Sequence, residues 1–278
     1  MSNTGVRTRI TLQSLERRFE VTRAVIPCAG AGTRMRAVTG AAPKELLPVG
    51  GMPALEHILR ECATSGVTQA MIVVSPGKEA IVAWAQAHAG QEGFPQTIVF
   101  TEQKTPLGLA DAISRARDFA NGEPIGVALP SHLFRGELPA LSQVVSTYRK
   151  MVQTSIAIIE ARAAIAATRA AVPVYEGSLS GEEFTIERIP DAGTPGGTVP
   201  AGTTPYTGAG RYVLSPDAFQ AIDMVLRGPG TGTEIDLIPV LQRMVARGQV
   251  AGRLVRGRFA DISIPSGYDE AKRTFAAV

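Results

Sequence analysis

The feature that most narrows the fold is a short apolar run, Ala24-Val25-Ile26-Pro27, that breaks directly into Ala29-Gly30-Ala31-Gly32-Thr33-Arg34-Met35. A strand buried on both faces reads as a continuous apolar segment. A glycine-rich turn at its carboxyl end exposes backbone N–H groups to an anion. The turn is not a Walker loop, because no Lys-Ser/Thr pair follows the second glycine. Nor is it a dinucleotide fingerprint, because Met35 stands where that motif needs its third glycine. Glycines alone fit a plain structural turn equally well. Arg34 shifts the reading toward phosphate, since a guanidinium grips phosphate oxygens in a bidentate fork.

Downstream, apolar spacing alternates between strand and helix. Ala54, Leu55, Ile58, Leu59 and Cys62 predict a helix over 54–65 that stops at Gly66. Strands are expected at 70–74, 96–100 and 125–130, with helices at 79–89 and 109–120 between them. Such alternation predicts a three-layer, Rossmann-like α/β fold with a mixed, mainly parallel sheet. Beyond residue 150 the texture changes. A strand is expected at 155–160, strand pairs at 172–189 around Gly177 and Gly181, a helix at 237–247 and a strand at 253–264. Residues 190–210 are rich in Gly, Pro and Thr and read as a long loop. The reading divides the chain into an extension at 1–22 and a domain at 23–278. The change of texture near residue 150 divides that domain into 23–150 and 151–278.

Composition excludes several classes. With 45% hydrophobic and 19% charged residues, the 278-residue chain is globular rather than a disordered polyelectrolyte. Its net charge is only +3, the basic residues are scattered and aromatics make up 5%, which argues against nucleic-acid binding. The first 22 residues are polar and lack an apolar core, so neither a signal peptide nor a membrane anchor is expected. A cytoplasmic protein is the default. Cys28 and Cys62 are the only cysteines, without metal-ligand spacing, and read as buried thiols.

The glycine turn is followed by Pro43-Lys44-Glu45-Leu46-Leu47-Pro48. Together the two segments resemble the double signature of the sugar-nucleotide pyrophosphorylases. Within these the chain is most similar to the bacterial UTP:glucose-1-phosphate uridylyltransferases. The likeness continues through Gln103 with Gly108-Leu109-Ala110 and through Ala209-Gly210-Arg211-Tyr212-Val213-Leu214. It ends with Gly232-Thr233-Glu234-Ile235 and with Asp261 ahead of Gly267-Tyr268.

The resemblance implies that UMP passes from a nucleoside triphosphate to a sugar-1-phosphate, or a related acceptor, with release of pyrophosphate. It implies that Ala29, Gly30, Ala31, Gly32 and Thr33 cradle the triphosphate, and that Arg34 and Lys44 are the catalytic cations. Gln103 and Gly108 receive the base, Asp261 holds Mg2+, and a homo-oligomer is compatible with the family. Asp111 is read as lying on the solvated side of its helix.

The acceptor side departs from the family. A magnesium-binding aspartate is replaced by Ser131, followed by His132. The family's Glu-Lys-Pro reads Glu187-Arg188-Ile189-Pro190, and no lysine occurs between Lys150 and Lys272. Ala170-Ala171 replaces a sugar-contacting Tyr-Gly, and Gly40 replaces a lysine. Glu187, Arg188, Gly210 and Arg211 are therefore the acceptor-binding candidates, with one of the arginines expected to hold the acceptor phosphate. An enzyme with an altered metal and acceptor site is expected, for which glucose-1-phosphate is a poor substrate. Two other readings stand beside it: the same chemistry on a different phosphorylated acceptor, and a non-catalytic nucleotide-binding relative.

Overall fold

The computed structural model describes residues 20–151, 153–162, 164, 173–191, 204–228 and 234–276. Most of the expected extension, the Ala170-Ala171 pair, residues 192–203 of the long loop and Gly232-Thr233 lie outside these residues.

β1 (Arg23–Pro27) is the hub. Its Ala24 and Ile26 enter one apolar layer and Val25 the other, the period-two alternation of a strand covered on both faces. The chain then forms the helical turn α1 (Arg36–Thr39), the ribbon β2 (Pro48–Val49) and β3 (Met52–Pro53), and α2 (Ala54–Thr64). α2 buries the residues whose spacing predicted it: Ala54, Leu55, Ile58, Leu59 and Cys62. β4 (Gln69–Val74), α3 (Glu79–His88) and β5 (Thr97–Glu102) follow, and both strands run parallel to β1.

The helix expected over 109–120 is two pieces, α4 (Leu109–Ser114) and α5 (Arg117–Ala120). Ser114 Oγ donates to the Asp111 carbonyl at 2.7 Å, and Ala116 N donates back only three residues, to Ile113. Side-chain competition and a tightened turn end the first helix there.

β6 (Ile125–Ala128) lies on the other side of β1 from β4. The chain thus reverses direction across the sheet between β1 and β6. Loops leaving those strands diverge and open a crevice at the carboxyl ends. β7 (His132–Arg135), α6 (Ala140–Met151) and β8 (Thr154–Glu160) come next. After them come β9 (Glu176–Ser180), β10 (Glu183–Arg188), β11 (Tyr206–Leu214), α7 (Ala218–Leu226) and α8 (Ile238–Val245). The chain closes with β12 (Val250–Leu254), β13 (Arg258–Asp261) and α9 (Pro265–Thr274).

The main sheet has the order β5-β4-β1-β6-β11-β8-β12-β10-β9, parallel through its first half and mixed beyond β6. The expected strand at 253–264 splits into β12 and β13, and β13 leaves the sheet to pair with β7. Gln143 of α6 causes the break. It donates to the Arg256 carbonyl at 3.1 Å and accepts from the Arg256 N–H at 2.9 Å, taking both groups that would continue a ladder. No helix among the described residues is long and apolar enough to cross a membrane.

Arg211 corrects one expectation. It does not face an acceptor; it is fully buried in β11. Its Nε and Nη2 reach the two carboxylate oxygens of Glu61 on α2, each at 2.8 Å. The remaining donors go to the carbonyls of Leu129, Gly210 and His132 at 3.2, 3.0 and 2.7 Å. All five guanidinium donors are spent. A local irregularity places it there. Gly208 pairs with Ile158 and Tyr212 with Ile156, so β11 carries extra residues over that interval and bulges.

Removing one partner from a buried pair strands the other charge, at a cost of roughly 3–5 kcal/mol. Glu61→Gln is therefore expected to lower unfolding stability by about that amount, measured by urea titration. A loss below ~1 kcal/mol would show that the pair does not hold β11 to α2.

Candidate active site

The glycine turn begins where β1 ends, with Cys28 N donating to the Val73 carbonyl of β4 at 2.7 Å. Its shape is set by a residue the sequence reading passed over. Lys78, ahead of α3, donates to the carbonyls of Cys28 at 2.5 Å and Gly30 at 2.8 Å, and reaches both Glu45 oxygens at 3.1 Å. Glu45 is 1% exposed, so the ion pair is a buried clip between the turn and the Pro43-Lys44-Glu45 segment. Neighbouring Lys44 lies across the turn: its Cδ is 3.5 Å from where a β-carbon on Gly32 would stand. Arg34 is exposed and has no ion-pair partner among the described residues. Both Lys44 and Arg34 border two adjoining cavities, of about 480 and 620 Å³.

The smaller of the two ends at Gln103. That side chain is nearly buried, and its Nε2 donates to the Gly108 carbonyl at 3.0 Å and to Asp111 Oδ2 at 2.8 Å. A carboxylate and a carbonyl only accept, so they fix which end of the amide is nitrogen. Oε1 is left without a described donor. Asp111 is therefore not the solvated residue expected from the sequence; it also pairs with Arg115 at 2.9 Å. Gly108 was expected to admit a base. What closes on it in the structure is the backbone of Ile235. A β-carbon on Gly108 would fall 2.3 Å from the Ile235 carbonyl oxygen, and its φ of +92° is glycine territory.

The larger cavity is walled by β7, β11 and β13. Ser131, His132, Asp261 and Ser263 border it, as do Tyr175, Tyr212, Glu234 and Asp236. Asp261 accepts from Ser263 N at 2.8 Å and Ser263 Oγ at 3.0 Å. Burial pushes the His132 imidazole pKa down, opposed by the charge of Asp261. Burial also pushes the Tyr175 and Tyr212 phenols up, so both remain neutral donors. Gly210 borders the cavity. Glu187 and Arg188 do not. Arg188 is exposed on β10 and spends its charge on Glu176 of the neighbouring strand, which corrects its assignment to the acceptor phosphate.

A family model described as nucleotidyl transferase matches residues 23–276. The chain belongs to the nucleotidyl transferase family. A Bacillus subtilis (strain 168) protein named provisionally as a UTP–glucose-1-phosphate uridylyltransferase is 30% identical over 268 residues, covering 89% of this chain and 94% of its own length. A second protein of that organism, a UTP–glucose-1-phosphate uridylyltransferase, is 28% identical over 263 residues, covering 88% and 86%. The solved structure of a UTP-bound UGPase from Acinetobacter baumannii has a TM-score of 0.73 at 24% identity, covering 91% of this chain and 93% of that one. A UDP-glucose pyrophosphorylase complexed with UDP-glucose gives 0.77 at 22%, covering 92% and 98%. These two structures support the fold.

Nucleotidyl transferases generally work with a divalent ion, so the donor set must be tested for one. No group of three or more His, Cys, Asp or Glu side chains converges among the described residues. One anchored carboxylate, Asp261, faces the cavity that Lys44 and Arg34 also border. A divalent ion can be held by one or two carboxylates plus substrate phosphates and water, and that donor set fits. The two thiols stand apart from this chemistry. Burial raises Cys28 far above the thiol range and pushes Cys62 up to about 12, so neither is a nucleophile at neutral pH.

Two residues of this nucleotidyl transferase, Lys78 and Tyr175, escaped sequence reasoning because the fold alone brings their surroundings near, and Asp111 was read as solvated although Arg115 lies one helical turn away. Lys78→Met is expected to leave buried Glu45 with only its longer, 3.8 Å contact to Lys44 and to loosen the turn. Triphosphate affinity should fall by about tenfold or more, ~1.4 kcal/mol, by calorimetry. Unchanged affinity in a folded variant would separate the clip from the nucleotide site.

Proposed function

We propose that this chain transfers a uridylyl group from UTP to a sugar-1-phosphate and releases pyrophosphate. One observation carries the reading. Arg34, without an ion-pair partner among the described residues, and Lys44, whose one ion pair is a 3.8 Å contact to Glu45, border both cavities, one lined also by Gln103 and the other by Asp261. A triphosphate seated on the glycine turn puts its α-phosphorus where the two cavities adjoin. An acceptor phosphate oxygen attacks there, the new P–O bond forms, and the bond to the β-phosphate breaks in line.

Two phosphates brought together in a water-poor site repel strongly, so fixed positive charge governs the rate. Lys44 neutralises the α-phosphate as charge builds, and Arg34 grips the departing pyrophosphate in its fork. A bound divalent ion, held by Asp261 and phosphate oxygens, would supply further charge neutralisation. The adjacent hydroxyls of Ser131 and Ser263 and the phenols of Tyr175 and Tyr212 are donors and acceptors of the kind that orient a sugar.

Base choice follows from Gln103. With Nε2 committed to Gly108 and Asp111, the free Oε1 accepts a hydrogen bond. Uracil offers N3–H there, whereas cytosine presents a bare N3 and is rejected. UTP should therefore outperform CTP by about tenfold or more, the worth of one lost hydrogen bond at an unpaired polar atom. Asp111→Asn frees the amide to turn over and should erode that preference.

A pyrophosphate-release assay across four nucleoside triphosphates and a panel of sugar-1-phosphates tests the reading. UTP-dependent release is expected, with Arg34→Ala weakening UTP and CTP alike. Neither expected acceptor arginine reaches the cavity, so glucose-1-phosphate should be used poorly. Its kcat/KM should be ~10² M⁻¹s⁻¹ or less, against ~10⁴ at the low end for enzymes. No release from any triphosphate would overturn the reading; efficient use of glucose-1-phosphate would overturn the altered acceptor site.

A further inference from the structure

We propose that His132 and Asp261 together form the divalent-cation site of this chain, an imidazole–carboxylate pair that takes Mn2+ or Co2+ in preference to Mg2+. The inference rests on the nucleotidyl-transfer reading of the same cavity and names the ion that site selects.

The antiparallel ribbon of β7 and β13 sets His132 directly opposite Asp261. Cross-strand partners share a face, and here His132 Nε2 lies 3.8 Å from Asp261 Oδ2. Two ligands at ~2.1 Å from an octahedral ion stand about 3 Å apart when adjacent and about 4.2 Å apart when opposite, so the observed separation falls within the span that two ligands of one ion cover. The carboxylate is already oriented by Ser263, whose N–H and Oγ hold one oxygen each. Outer hydrogen bonds of this kind fix ligating groups in place.

The ring is equally fixed. Its edge meets Phe259 with centroids 5.2 Å apart at 83°. Above it Gly210 leaves room that no other residue could: a β-carbon there would lie 2.2 Å from Nδ1. Nδ1 is shut in beneath Gly210, and Nε2 is the nitrogen turned toward the carboxylate. Both residues border the cavity that also receives Lys44 and Arg34, where substrate phosphates would complete the coordination.

Ion preference follows from the donor types. Ser131 offers a neutral oxygen in place of a second carboxylate, which weakens the hard, all-oxygen shell that magnesium demands. An imidazole nitrogen suits first-row transition ions, whose affinity for nitrogen exceeds that of magnesium. The same substitution that degrades a magnesium site therefore leaves a good manganese or cobalt site.

The test uses the full chain with α,β-methylene-UTP as a non-reacting nucleotide. Metal-free binding of the analogue is measured first by calorimetry. Mn2+ is then titrated, and its pulsed electron paramagnetic resonance is examined for 14N coupling from a directly bound imidazole. Native protein should show that coupling and bind Mn2+ at least about tenfold more tightly than Mg2+. His132→Ala and His132→Asn should abolish the coupling and collapse the preference without changing analogue binding in the absence of metal. His132→Asp should restore affinity for Mg2+. If the analogue binds but native protein gives no nitrogen coupling, or Mn2+ and Mg2+ bind equally, the inference is wrong. Failure of the analogue to bind would instead overturn the nucleotidyl-transfer reading itself.

Discussion

The buried bidentate contact between Arg211 and Glu61 is the constraint on which the acceptor side of this molecule depends. It joins β11 to α2, and Glu61 Oε1 also accepts the N–H of Leu141 at the start of α6. The other face of the guanidinium collects the carbonyls of Leu129 and His132, which bracket the turn between β6 and β7. Ser131 sits inside that bracket. Taking two ions out of water is costly, and the arrangement is tolerable because every donor on the arginine has an acceptor. A half-satisfied network would be worse than an apolar core. Completeness is what makes the contact rigid enough to place His132 against Asp261.

The same logic recurs on the nucleotide side. Lys78 and Glu45 are a second buried pair, closing the glycine turn onto the segment that carries Lys44. Between them the two pairs sort the charges of the site into two sets. Arg211 and Lys78 are spent on structure and hold backbone carbonyls in place. Arg34 and Lys44 are left with little or no protein partner, at the point where a phosphate would need them. Preorganised charge stabilises a transition state only if the groups bearing it do not have to move. The spent cations hold still the backbone segments from which the free ones project.

Legibility in the sequence followed the range of the interactions involved. β1, α2, β4 and α3 declared themselves, because their periodicity is local and their apolar faces pack as the spacing demands. The glycine turn was legible for the same reason, since strand, turn and Lys44 lie within a short stretch of chain. Arg211 was misread because its partner lies 150 residues away, and nothing local distinguishes a buried arginine from a ligand-binding one. Lys78 was invisible on similar grounds, being 48 residues from the turn it holds. Arg188 was assigned from a motif likeness, although Glu176 lay within reach across an expected hairpin. The split of 253–264 into two strands could not be read locally either, because Gln143, the residue that causes it, is 113 positions from Arg256.

The distribution of charge around the acceptor cavity carries a last consequence. Among the described residues its cations, Arg34 and Lys44, border the nucleotide cavity as well. The carboxylates of Glu234, Asp236 and Asp261 border the acceptor cavity, and Asp261 alone is engaged with a neighbouring serine and available to an ion. A molecule placed with its phosphate toward Lys44 would therefore turn its remaining groups toward acidic oxygens and neutral phenols. Hydroxyl groups suit that environment, because a carboxylate accepts from each one it meets. A second anionic group would meet like charge at short range in a partly dehydrated space and be excluded. On the proposed reading, discrimination on this side comes from what the wall repels as much as from what it binds. The wall keeps its acidic character because Arg211 is withdrawn from it into the buried pair with Glu61.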